Sequence, residues 1–193
     1  MYYLCLAIRL LLIGVFSVAT WGKLRHRSAF REFVRSVAGL RLFPAGLSTA
    51  IAVSVIAAEA GSVVLLAIPA APAVTGVGFA LAGCVLAAFG AGILASRRGG
   101  ARVACRCFGT KGVVLGKPHI IRNLLLAALA AVGLLAVLTG TTPSSLHPGG
   151  TAIAALAAGV GGLLVVRLDD LLALIAPTAD PRTGSPTADR SFR

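Results

Sequence analysis

The chain of 193 residues is 58% hydrophobic and only 12% charged, with a mean hydropathy of +0.94, which excludes an ordinary soluble globular domain. Its formal net charge is +12, and in a soluble protein such a charge would indicate a nucleic-acid partner. Here twelve of the 18 basic residues lie in two loops between apolar blocks, which favours contact with anionic lipid head groups. We therefore expect the lipid bilayer as a partner and no nucleic acid.

The apolar residues form blocks of the length needed to cross a membrane. Four blocks reach the roughly 20 residues that span a hydrocarbon core of about 30 Å. They predict an all-α, polytopic transmembrane helix bundle with four core spans, and a shorter fifth block predicts a further span, with an interfacial helix as the alternative. The predicted spans are residues 2–22, 45–69, 73–95, 120–139 and 151–168.

The two ends of the chain also carry signals. The first apolar block lacks a basic start and a good small-residue cleavage site, so it is predicted to be a retained span and not a signal peptide. The tail at 177–193 is rich in Pro, Thr, Ser and Asp with little to bury, and it is predicted to be disordered.

The loops alternate between basic and uncharged, which predicts the topology. All Lys and Arg residues of the predicted loops lie in loops 23–44 and 96–119, whereas the loops around 69–72 and 140–150 contain none. By the positive-inside rule, the two basic loops and the C-terminus lie in the cytoplasm and the N-terminus lies outside. The expected location is the bacterial cytoplasmic (inner) membrane.

Two ionisable residues lie deep in the predicted spans. Glu59 follows Ala45 by 14 residues and Arg9 precedes Lys23 by 14 residues, so both lie about 21 Å from the cytoplasmic face. We predict an Arg9–Glu59 ion pair, which either fixes the helix register or supplies a proton-accepting carboxylate beside a redox site or quinone pocket. Lys23, just after Trp21, has the position of an interfacial anchor.

Cys105 and Cys107 lie in a basic, glycine-rich loop and are the strongest candidate for chemistry. A disulfide across one intervening residue would be strained and easily reduced, as catalytic or regulatory disulfides are. Three interpretations stay open at this point: a redox-active pair, a two-thiolate site for a soft metal, or two ordinary thiols. Arg122, at the start of the fourth span, is a candidate cation that would favour the reactive thiolate.

The remaining cysteines and histidines carry weaker signals. Cys5 and Cys84 lie within spans and are predicted to be small packing residues. The three histidines lack ligand spacing, so no metal is assigned to His26, His119 and His147.

An ordered set of residues resembles the MauE-type integral membrane proteins (methylamine utilisation protein E), which are distantly DoxX-like. The resemblance covers roughly residues 10–138. It is carried by Phe16, Lys23-Leu24, Phe30, Phe33, Leu42-Phe43-Pro44, Glu59, Phe89, Cys105-x-Cys107-Phe108-Gly109 and Arg122-Asn123.

The resemblance implies a membrane protein of methylamine metabolism. Its expected role is the maturation or export of a redox client, the small subunit of methylamine dehydrogenase, through thiol–disulfide exchange at Cys105 and Cys107. A thioredoxin-like partner and a membrane quinone are candidate redox partners. The alternative is a non-catalytic assembly factor or small transporter with incidental thiols. Because an exported client folds outside while the cysteines are predicted inside, the direction of electron flow stays open.

Overall fold

The computed structural model describes residues 2–68, 71–98, 117–140 and 147–175, and within these ranges the chain is helical throughout apart from short connections. Five helices are long and apolar enough to cross a membrane, which confirms the predicted all-α transmembrane fold. Cys105, Cys107 and the predicted disordered tail at 177–193 lie outside the described residues. The helices are α1 (Tyr2–Leu24), α2 (Arg27–Gly39), a 3₁₀ turn (Ala45–Leu47), α3 (Ser48–Ala67), α4 (Pro72–Arg98), α5 (Lys117–Leu138) and α6 (Pro148–Ile175).

Helices α1, α3, α4 and α5 form a closed four-helix ring, because each of them packs against two of the others. Helix α6 packs against α1 from outside the ring, and only 11% of its apolar segment is buried, compared with 28–33% for the other four. The four core spans and the additional fifth span of the sequence prediction therefore correspond to a ring and a peripheral helix.

The tightest packing lies between the middle of the ring and the end where α3 finishes and α4 begins. Leu12, Leu66 and Phe79 are at most 1% exposed there. Glycines permit this close approach. A side chain at Gly78 would meet Leu66 at 3.0 Å, and the Phe79 ring lies directly against Gly133. Small residues at helix contacts are typical of membrane bundles, where close van der Waals packing holds the helices together.

Helix α6 is attached to α1 by a hydrogen bond and a glycine contact. The His147 backbone N–H donates to the Tyr3 hydroxyl at 3.0 Å. Further along the helix, Gly161 lies against Leu11, whose Cδ1 would be 2.9 Å from an added Cβ. The loop before α6 carries no Lys or Arg, and His147, the residue that directly precedes the helix, forms this link.

Helix α2 is an element that the sequence analysis treated as part of a basic loop. It is strongly amphipathic, since Phe33 and Val37 are buried one turn apart while arginines at the same four-residue spacing are exposed on the other face. It packs on α1 and α3 and covers one end of the ring. The exposed arginines are Arg27, Arg31 and Arg35.

Replacing Gly133 with alanine should destabilise the bundle. The new methyl group would lie 2.5–2.8 Å from three atoms of the buried Phe79 ring, and overpacking of this kind typically costs about 1–3 kcal/mol. The measurement is the thermal unfolding midpoint of the purified protein in detergent. Gly14→Ala is the matched control, because a side chain there meets nothing within 4 Å. Equal midpoints for the two variants would contradict the packing argument.

Candidate functional site

A cavity of about 610 Å³ lies inside the ring at one end of the bundle. This is the end where α1 and α4 finish and α3 and α5 begin, and we call it the cavity end. Helices α1, α3, α4 and α5 form its walls, and α2 with the following residues Leu42 and Phe43 covers it. The volume lies within the range of about 300–1,000 Å³ that is typical of small-ligand sites.

A buried ion pair lies in the wall of the cavity. The Lys23 ammonium group donates a hydrogen bond to Oε1 of Glu59, and the two side chains are 1% and 3% exposed. The Thr20 hydroxyl donates to the other carboxylate oxygen at 3.5 Å. Glu59 is therefore held by two neighbouring turns of α1.

Two aromatic rings complete the surroundings of the lysine. The Lys23 Nζ lies 4.8 Å from the ring centroid of Phe33 on α2 and 5.4 Å from that of Phe89 on α4. Both distances are within the range of about 6 Å for cation–π attraction. The ammonium group thus links α1 to α2, α3 and α4 at a single point.

The predicted Arg9–Glu59 ion pair is wrong, because Glu59 pairs with Lys23. Side chains in a helix tilt toward its N-terminus. On the antiparallel helices α1 and α3, Lys23 and Glu59 therefore tilt toward each other, whereas Arg9 tilts away from Glu59. In addition, α3 begins at Ser48, three residues later than predicted. Glu59 therefore lies about 4.5 Å closer to the cavity end than the prediction placed it.

Arg9 instead caps the far end of α3. Its guanidinium donates one hydrogen bond to the Leu66 carbonyl and another, at 2.8 Å, to the Ile68 carbonyl. The last carbonyl groups of a helix lack partners within the helix and carry partial negative charge, so a cation there is favourable. Arg9 has a structural role at the opposite end of the bundle from the cavity.

The interfacial-anchor interpretation of Lys23 is also wrong. Trp21 is 71% exposed and remains on the outer surface, but Lys23 is only 2% exposed and faces the interior of the ring. A lysine in the last turn of a span looks the same in sequence whether it faces lipid head groups or the bundle. The sequence contained no signal that separates these two cases.

Helix α5 contributes a polar face to the cavity. His119, Arg122 and Asn123 are each at most 9% exposed and lie on one side of its first turns, since their spacing of three and four residues places them together. Arg122 was predicted as a cation acting on the cysteines, and this effect stays a prediction because Cys105 and Cys107 lie outside the described residues. His119 has no ligand spacing in the sequence, and in the structure it lies in the cavity wall.

The two described cysteines are far from this site or face away from it. Cys5 is half-buried near the other end of α1, with its Sγ 3.9 Å from the Gly133 carbonyl oxygen. Cys84 was predicted to be a packing residue, but it is exposed on the surface of α4. Within residues 2–68, 71–98, 117–140 and 147–175, no three His, Cys, Asp or Glu side chains come together as metal ligands would.

The residues that suggested the family resemblance meet around the cavity. They come from five helices and one connection, and sequence order alone does not bring them together. Those that line the cavity are Phe16, Lys23, Phe33, Leu42, Phe43, Glu59, Phe89, Arg122 and Asn123. An apolar chamber that contains a buried ammonium–carboxylate pair can bind an amphipathic molecule and can exchange protons with it.

Removing one member of the ion pair should destabilise the fold more than removing both. In Lys23→Met, Glu59 is left as a buried charge without its cation, which typically costs about 3–5 kcal/mol. The double variant Lys23→Met/Glu59→Leu leaves no buried charge, and we expect it to regain most of that loss. Thermal unfolding of the wild type, the two single variants and the double variant measures the coupling. A double variant as unstable as the sum of the singles would show that the pair is not coupled.

Comparison with known proteins identifies one related family. The family model described as "Methylamine utilisation protein MauE" matches residues 1–136, more than two thirds of the chain and all of α1 to α4. No curated protein and no solved structure matches the chain.

Proposed function

The chain belongs to the methylamine utilisation protein MauE family and is a multi-pass membrane protein, and from this premise we propose that it assists the maturation or export of a redox protein by thiol–disulfide exchange at Cys105 and Cys107. The client suggested by the family is the small subunit of methylamine dehydrogenase. A thioredoxin-like protein is the proposed exchange partner at the membrane surface.

The single observation that carries this proposal is the position of the cavity relative to the cysteine segment. Helix α4 ends at Arg98 and α5 begins at Lys117, both at the cavity end. Cys105 follows Arg98 by seven residues, and an extended chain covers at most about 3.6 Å per residue, so the thiol lies within about 25 Å of the end of α4. This attachment of the cysteine segment supports exchange at the end of the bundle where the buried ion pair lies.

Exchange with Cys5 would require the cysteine segment to extend along almost the whole length of α1. Cys5 precedes Lys23 by 18 residues along α1, which is about 27 Å at the helical rise. Cys84 is exposed on the outer surface of the bundle. The proposed exchange therefore uses Cys105 and Cys107 with each other and with a partner protein.

We orient the cavity end toward the cytoplasm. The exposed arginines of α2 lie at this end, and the segment between α4 and α5, whose sequence is basic, is attached there. The positive-inside rule favours the cytoplasmic side for such segments. At that surface the arginines would contact anionic lipid head groups. The cations near the cysteines would also favour the thiolate, which is the form that attacks a disulfide.

Serine at both Cys105 and Cys107 should abolish client maturation. A serine hydroxyl does not form a disulfide, so no electrons can be exchanged at this position. In a strain that produces the dehydrogenase, the measurements are the disulfide content of its small subunit and its activity, at equal membrane levels of the variant. Cys84→Ser is the matched control, because it removes an exposed thiol from the same helix that leads to the segment. Normal maturation in the double serine variant would instead support a non-catalytic assembly factor.

A membrane-impermeant maleimide should label Cys105 and Cys107 only from the cytoplasmic side. The variant Cys5→Ser/Cys84→Ser leaves these two thiols as the only targets in the chain. We expect no labelling in intact cells and full labelling in inside-out vesicles. A single cysteine introduced at Leu138, at the opposite end of α5 and 71% exposed, should show the reverse pattern. Labelling of Cys105 or Cys107 in intact cells would overturn the orientation.

A further inference from the structure

The cavity has the features of a ligand site, and we propose that it binds a lipid-soluble quinone, a flat ring with two carbonyl oxygens on an apolar tail. The redox role of this ligand rests on the proposed function. Its binding rests only on the described walls of the cavity.

The shape and lining of the cavity fit a flat apolar ring. Its volume of about 610 Å³ is sufficient for a substituted ring and the beginning of a tail. Four of the eight phenylalanines of the chain line it, although they come from four separate parts of the sequence. Aromatic rings pack favourably against another flat ring in offset or edge-to-face arrangements. These residues are Phe16, Phe33, Phe43 and Phe89.

The polar groups in the wall fit both redox states of such a ring. Quinone oxygens accept hydrogen bonds, and the wall contains donors on Lys23, His119 and Asn123. Quinol hydroxyls donate hydrogen bonds, and the Glu59 carboxylate is an acceptor in the same wall. A small number of polar groups in a mainly apolar chamber is the usual composition of a small-molecule site.

The rim of the cavity favours a ligand that arrives from the lipid. Leu42 and Phe43 are 38% and 51% exposed, and Ala88 and Ala91 on α4 are also exposed at the lining. A hydrophobic molecule dissolved in the membrane can pass this apolar rim without entering water. A fatty acid could take the same route, and its carboxylate would meet the cations Lys23 and Arg122 as well as Glu59, whereas an uncharged quinone needs no charged partner in this chamber.

The redox step balances without any further reactant. The two thiols of Cys105 and Cys107 lose two electrons and two protons and form one S–S bond. The quinone takes up both electrons and both protons, and its two carbonyl oxygens become the hydroxyls of the quinol. The step can run in either direction. Lys23, Glu59 and His119 are ionisable groups of the wall that can relay these protons.

Photolabelling with an azido-substituted ubiquinone tests the site directly. The full-length protein, purified in detergent, is irradiated with this probe, and the labelled peptides are identified by mass spectrometry. We expect labels on the cavity halves of α3 and α4 that excess decylubiquinone removes. Ala58→Phe fills the cavity from α3 and should lower labelling at least about tenfold, which corresponds to about 1.4 kcal/mol of binding free energy. Ala57→Phe, one residue away and exposed on the outer surface, should label like the wild type.

A second pair of variants on the neighbouring helix α4 covers the case in which Ala58→Phe does not fold. Ala87 and Ala88 are both exposed on α4, but only Ala88 lines the cavity. Ala88→Phe should therefore lose labelling and Ala87→Phe should keep it. Equal labelling of all variants, or labels outside the cavity, would overturn the site. If oleate removed the label at lower concentrations than decylubiquinone, the cavity would be a fatty-acid site and the quinone proposal would be wrong.

The cysteine variants separate this proposal from the proposed function. Cys105→Ser/Cys107→Ser should keep cavity-specific labelling, because neither residue belongs to the described walls, while reduction of decylubiquinone by the dithiol protein should stop. If that variant matured the client normally and still bound the probe, the proposed thiol-exchange function would be wrong, whereas the proposed quinone site would be supported.

Discussion

The buried contact between Lys23 and Glu59 is the constraint on which the cavity half of the bundle depends. Taking two charges out of water is costly, and the cost is recovered only when each charge finds a well-placed partner. The pair meets this condition through the antiparallel arrangement of α1 and α3, with Thr20 adding a hydrogen bond and two phenylalanine rings surrounding the ammonium group. The positions of α1, α2, α3 and α4 are therefore coupled at one point.

The two ends of the bundle are built differently, because one is tightly packed and the other contains the cavity. Toward the end where α3 finishes, glycines allow large side chains such as Phe79 to fill the interior, and Arg9 caps the exposed carbonyls of α3. Toward the cavity end, the helices leave a chamber that α2 covers. The segment with Cys105 and Cys107 is attached at this second end. Substrate or redox chemistry is thus expected where the packing is incomplete and the polar groups collect.

The family assignment and the geometry support each other. The residues that suggested the MauE family in the sequence are scattered over about 110 positions, and most of them meet in one cavity. A purely structural family pattern would be expected to concentrate in the tight core around Leu66 and Phe79. In this chain most of these residues line the open chamber instead, and this is the observation behind the proposed ligand site.

The sequence by itself determined the class, the number of spans and the residues worth examining. Blocks of about 20 apolar residues have few alternatives to a membrane helix, because unpaired backbone groups cannot be left in lipid. The sequence also indicates Glu59 and Arg9 as residues of interest, because a charged residue inside such an apolar block is rare. Helix α2 could also have been found from the four-residue spacing of its arginines, but the basic residues were interpreted only as a topology signal.

Only the tertiary structure decided which charges meet. Counting residues from the predicted membrane surface placed Arg9 and Glu59 at one depth, but it ignored the tilt of side chains along each helix and the start of α3 at Ser48. It also gave no means to tell whether Lys23 faced lipid or the interior, or that His119 and Arg122 would share its cavity. These facts depend on the rotation of each helix about its own axis. That rotation is set by packing against all its neighbours at once, and no single segment of the sequence contains it.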